Sequence, residues 1–182
     1  MRSALLLLLI VTVTLSADVR VNPDAQLVAD FDARVADYMK LHRSAESHFP
    51  MHSTDSPSAI AKEQRAFAAE IRTARANAKQ GDLFTPPIAA EFRRLISIAM
   101  QGPRAARVRK SLKSAEPVSM ALDVDQAYPS SVPLQSTPAS LLLNLPHLPK
   151  GLDYRIVGRR LVLRDVNANL VIDIIPDALP LS

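Results

Sequence analysis

No cysteine occurs in this chain of 182 residues, and that absence removes disulfides, a thiolate nucleophile, a lipidated cysteine and cysteine-based metal cages together. Stability must come from packing alone. Tryptophan is also missing and aromatic residues make up only 4% of the chain, so a core has to be built from Leu, Ile, Val and Ala. A base-stacking or sugar-stacking platform has little to be made from. With four glycines, backbone turns of the kind active sites use are scarce. No Gly-rich phosphate loop, no Gly-x-Ser-x-Gly elbow and no His-Glu-x-x-His pair can be found. No apolar run reaches the roughly 20 residues needed to span a bilayer.

What is present is a chain that is 48% apolar, enough for a proper core and long enough for one domain or one domain with an appended subdomain. It begins with Arg2, an apolar run from Ala4 to Val13, and small residues at Thr14, Ser16 and Ala17. That order reads as a secretory signal peptide over 1–17, cleaved after Ala17 or one residue earlier, and it places the mature protein in a periplasm or outside the cell. The net charge of +4 and pI near 9.7 favour solubility and weak attraction to anionic surfaces. They do not call for nucleic acid.

Residues 18–116 read as an antiparallel bundle of three to four helices. Asn22-Pro23-Asp24 is a start signal, with Asn22 as N-cap and Pro23 at the first helical position. Leu27, Phe31, Val35, Tyr38 and Met39 then define an apolar face, and the helix should stop near His48, ahead of Pro50. A second helix should start at Ser56-Pro57, repeat Ile60, Phe67, Ile71, Ala74 and Ala78, and end at Gly81. A third, capped by Thr85, should bury Ile88, Phe92, Leu95 and Ile96 and stop at Gly102-Pro103. Phe31, Phe67 and Phe92 are the expected centre. Arg104–Lys113 should add a short helix with Val108 and Leu112 inward.

Residues 117–182 read as a small α/β module, so the fold class is α+β. Val118, Met120, Leu122 and Val124 alternate as in a half-buried strand, and Thr137-Pro138 should cap a short helix through Leu143. Tyr154–Val157, Arg160–Arg164 and Leu170–Ile175 form a three-strand meander. Gly158-Arg159 suits a type II′ turn, and 166–169 makes the second turn. Strict alternation puts Ile156, Leu161, Leu163, Leu170, Ile172 and Ile174 on one face. Val157, Val162, Val171 and Ile175 then fall on the other, with Arg155 and Arg164.

The run Leu145-Pro146-His147-Leu148-Pro149-Lys150-Gly151, followed by Tyr154, Val157-Gly158, Leu161 to Leu163, Asp165 and Val171 to Ile175, resembles the C-terminal β-module of periplasmic proteins related to the nickel/cobalt-homeostasis regulators. The resemblance covers about thirty residues, mostly at turn and core positions, and implies fold and export. That family's Tyr/Trp/His-rich upstream region has no counterpart here. The whole chain is also similar to a group of bacterial secreted proteins, which implies export and no particular activity.

His42, His48, Met51 and His52 are the candidate metal ligands, because imidazoles four apart can share a helix face and thioether favours copper. Asp123 and Asp125, two apart at the end of the expected strand, are the carboxylate pair that could serve acid/base work. Asp165 reads instead as a turn residue, Asp173 as an edge-strand residue that could pair with Arg155 or Arg164 if it faced inward, and His147, between two prolines, as a packed loop residue. Arg104, Arg107, Arg109, Lys110 and Lys113 form one basic patch. Arg155, Arg159, Arg160 and Arg164 form another around the first hairpin, where charge also guards a sheet edge. The resulting expectation is an exported, non-enzymatic accessory or protein-interaction module, without cofactor, meeting an envelope protein or an anionic surface. The alternative is a periplasmic transition-metal-binding protein.

Overall fold

The computed structural model describes residues 22–48, 56–101, 103, 105–113, 121–129 and 137–180. The expected signal peptide, together with Met51, His52, Arg104, Val118 and Met120, lies outside them. The protein is α+β. Helix α1 spans Pro23–His48, α2 Pro57–Ala74, α3 Pro86–Gln101, α4 Ala105–Lys113 and α5 Ala139–Leu142. Strands β1 (Leu152–Val157), β2 (Arg160–Asp165) and β3 (Leu170–Ile175) follow as an antiparallel meander in the order β1-β2-β3. Among the described residues, no helix is long and apolar enough to cross a membrane.

The helix starts follow their caps. Asn22 Oδ1 accepts the Asp24 N–H at 3.1 Å, and the Ser56 hydroxyl accepts the Ala59 N–H at 3.4 Å, each satisfying a donor that the first turn leaves over. The end of α2 departs from expectation, since the helix stops at Ala74 instead of running on to Gly81. Arg75 leaves helical geometry at φ −117°, and its guanidinium reaches Asp125 Oδ1 at 2.6 Å and the Ile172 carbonyl at 3.2 Å. Residues 75–84 are thereby drawn into a loop against the sheet. Gly81, at φ +91°, is a turn residue in that loop, where a side chain would be strained.

One apolar core joins helices and sheet. Phe31, Phe84 and Phe92 pack ring to ring, with centroids 4.9 to 5.4 Å apart, and Phe92 also meets Tyr154 of β1 at 6.0 Å. Phe67 is equally buried but packs edge-on against the His42 ring at 5.1 Å, so Phe84, from the α2–α3 loop, takes its expected place in the aromatic trio. Val108 of α4 is fully buried, and Leu112 lies partly buried beside it.

The two-residue turn at Gly158-Arg159 closes the first hairpin, with Gly158 at φ +60° and Val157 paired to Arg160. The second hairpin is less regular. Leu163 pairs with Asp173 and Arg164 with Val171, which leaves Ile172 as an extra residue on β3. This bulge resets the alternation. Ile175 therefore joins the helix-facing core and Ile174 the outer face, the reverse of strict period two.

The outer face is not open. Val157, Val162, Val171 and Ile174 are covered by Leu122 and Tyr128. Residues 121–124, expected to end a half-buried strand, are not in one; the chain turns at Asp125 (φ +61°) and runs along the free edge of β3. There the Asp125 N–H donates to the Val171 carbonyl at 2.8 Å, Val171 N–H to the Gln126 carbonyl at 2.9 Å, and Tyr128 N–H to the Asn169 carbonyl at 2.8 Å. The β3 edge is thus capped by backbone and not by the hairpin arginines, which stand on β1, β2 and the turn between them. Thr137 does not cap α5; its hydroxyl donates to the Tyr154 carbonyl at 2.7 Å and ties the helix to β1.

Candidate functional site

The most unusual chemistry lies where α1 meets the end of β2. Tyr38 and His42 are four apart on α1 and therefore share a face. Asp165, the last residue of β2, is fully buried between them and the second turn. Its Oδ2 accepts the Tyr38 hydroxyl at 2.6 Å and takes His42 Nδ1 at 2.6 Å, while Oδ1 accepts the Ala168 N–H at 2.9 Å. With Oδ2 as shared acceptor, Nδ1 carries a proton. Burial, reinforced by the Asp165 charge, pushes the Tyr38 hydroxyl far above its ordinary value. The hydrogen bond to Asp165 raises His42, against the opposing effect of burial.

The other edge of the His42 ring is closed by Gly151, which sits at φ +99°. A Cβ there would lie 3.8 Å from Cε1 and 3.9 Å from Nε2. This is an imidazole–carboxylate pair buried in a helix–sheet junction, with a phenol as second donor, and the Asp165 hydrogen bond favours the charged form of the ring. Removing one donor leaves the carboxylate under-solvated. Tyr38→Phe should therefore cost about 1.5–3 kcal/mol, the usual worth of a hydrogen bond to a charged group, in urea unfolding at neutral pH. A loss within a few tenths of a kcal/mol would show that the bond contributes nothing.

Of the four expected metal ligands, two fall among the described residues, and these two stand in different surroundings. His42 is 3% exposed and engaged with Asp165, whereas His48 is 63% exposed with Nδ1 3.4 Å from Glu70 Oε1. Met51 and His52 lie outside the described residues. Among the described residues, no group of three or more His, Asp or Glu is placed to hold a metal ion. The aspartate pair also separates. Asp125 binds Arg75, and Asp123 Oδ2 accepts the Gln126 amide at 3.1 Å. Burial raises Asp125 although Arg75 and Arg72 pull it down.

The basic residues of the hairpin are used within the fold. Arg155 and Arg164 both pair with Asp153 across the outer face, and the Arg164 guanidinium stands 5.2 Å over the Tyr128 ring. Arg159 pairs with Asp177 at 3.0 Å and donates to the Leu179 carbonyl, while Arg160 is half-buried opposite Val157. On α4, Arg109 donates to the Met100 carbonyl at 2.8 Å, and Arg107 and Lys110 are exposed. The Lys113 side chain lies outside the described residues.

Surface concavity is found elsewhere, on both sides of the Pro146–Pro149 segment. A groove of about 610 Å³ runs between that segment and α1, with Val35, Met39, Arg43 and His147 among its lining. A second, of about 390 Å³, lies toward α5 and β1, lined by Leu142, His147, Tyr154 and Arg155 among others. His147 is exposed and belongs to both, and so is not the packed loop residue that the flanking prolines suggest. Leu142 and Leu143 stand 39% and 70% exposed at the end of α5.

Sequence reading assigned Tyr38 to an apolar face and Asp165 to a turn, and it did not join them. The only local signal was the spacing of Tyr38 and His42. Compared with protein-family models, curated proteins and solved structures, the chain gives no match to any of them.

Proposed function

We propose that this is an exported, non-enzymatic interaction module whose contact surface is the Pro146–Pro149 ridge with its two flanking grooves. The partner is another envelope protein that presents an extended, apolar segment. The observation that carries this reading is that the exposed Leu142 lines the groove toward α5 and β1, with the still more exposed Leu143 next to it in the chain, while the second groove adjoins across the same ridge. Grooves of a few hundred Å³ lined by apolar side chains with a few polar groups are the usual form of a recognition site. Proline brackets on both sides of His147 hold the ridge extended and lower the entropy lost on binding. The hairpin arginines are a poorer surface, because three of them are already paired within the fold, two with Asp153 and one with Asp177.

Photo-crosslinking from positions 143 and 147 in cells tests the reading, with Ala66 on the exposed side of α2 as the control position. A single defined adduct at 143 and 147, absent at 66 and lost when position 142 is changed to Asp, is the expected result. Equal labelling at 66, or none at 143 and 147, would overturn it.

A further inference from the structure

Beneath the proposed groove, the polar junction has a geometry that links it to the groove wall. The wall segment ends at Gly151, which lies beside the His42 ring, close enough that a Cβ there would meet Cε1 at 3.8 Å, and whose carbonyl accepts the Val166 N–H at 2.8 Å. Val166 follows Asp165, and Asp165 holds the Ala168 N–H at 2.9 Å. The His42 imidazole thus lies where α1, the wall and the start of the β2–β3 turn come together. The opposite wall is α1 itself, with Met39 and Arg43 within a turn of His42. We propose that the His42–Asp165 ion pair is a latch that fixes the Pro146–Gly151 wall against α1, and that the groove loosens when His42 loses its proton.

The groups facing the latch are few. From the sheet side these are Asp165 and the Asn167 amide near Gly151; from α2, the Phe67 ring edge; and on α1 itself, Tyr38, Arg43 and Glu46. Arg75 stands 5.3 Å over the Tyr38 ring and is itself paired with Asp125, one step further out. Of these, Asp165 and Glu46 favour the imidazolium and Arg43 opposes it.

The sign follows from the direction of the shift. Folded His42 binds its proton more tightly than the unfolded chain, whose value is near 6.5. Its contribution is therefore complete below about pH 6.5 and is lost as pH rises through the raised folded value. Neutral imidazole can keep the Nδ1–H bond to Asp165 but loses its charge assistance.

Amide hydrogen exchange between pH 5 and 9, corrected for intrinsic rates, tests this together with the His42 Cε1–H titration by NMR. Protection at Val166 and Ala168 is expected to fall about tenfold or more, with the midpoint of the His42 titration, while Ile96 in α3 keeps its protection. His42→Gln, which can donate to Asp165 without ever being charged, should show low protection at both amides at every pH. Three results would each overturn the latch: constant protection through the His42 titration, an equal loss at Ile96, or a His42→Gln protein that keeps the wild-type pH profile. If that variant does not fold, the wild-type titration still decides. The effect on binding rests on the groove being the contact surface, and is read as a fall in crosslinking from position 147 over the same pH interval. The exchange measurement needs no partner, so the latch and the binding surface can fail separately.

Discussion

Replacing Asp173 with Ala should remove about 3–6 kcal/mol of stability in urea unfolding, a large part of the roughly 5–15 kcal/mol that holds a typical domain together. Asp173 is fully buried. Its Oδ2 accepts the Leu83 and Phe84 N–H groups at 2.8 Å each, and its Oδ1 accepts Gly81 N–H at 2.9 Å and Ile174 N–H at 2.7 Å. A carboxylate out of water is tolerated here because converging backbone donors replace its hydration. Truncation would strand the loop amides in the interior, and each unsatisfied donor costs about 1–3 kcal/mol. Asp173→Asn should cost less, because one oxygen survives while the new NH₂ faces donors. A loss under about 1 kcal/mol for the Ala variant would mean that water reaches the site and the loop is held by other contacts.

Phe92→Ala is the second large effect, expected at about 3–5 kcal/mol for a fully buried aromatic. Its ring lies between the stacked pair Phe31 and Phe84 on one side and Tyr154 of β1 on the other, so the cavity would open at the seam between helices and sheet. Neighbours on both layers are held by the same core and cannot collapse freely into the space. Ile98→Ala on the same helix provides the contrast. That side chain is 48% exposed, and its loss should change stability by no more than about 0.5 kcal/mol. Similar unfolding midpoints for the two variants would show that the seam is loosely packed.

The buried aspartates explain where sequence reading stopped short. Asp173 within an aliphatic run reads as an edge residue or as a partner for Arg155 or Arg164, because a lone charge in a strand normally faces water or a cation. The bulge at Ile172 turns it inward instead, toward amides about ninety residues earlier in the chain. Arg155 and Arg164 stay on the opposite face with Asp153. Likewise, nothing local to Asp165 announces Tyr38 and His42, which lie 127 and 123 residues away. Helix α2 ended early for the same reason, because Arg75 found better partners at Asp125 and Ile172 than another helical turn would have offered.

By itself, the sequence determined the α+β class, the starts of α1, α2 and α3, the short α4 and α5, and the three strands with their two-residue first turn. These depend on caps, prolines, glycines and apolar spacing, all of which act within a few residues. The tertiary structure alone decided which charges are buried, which face of β3 each side chain takes after the bulge, how residues 121–129 close the sheet edge, and where a groove is left open. Those outcomes depend on partners brought together from distant parts of the chain. A polar group can be buried only where such partners are waiting, and their arrival cannot be read from neighbouring residues.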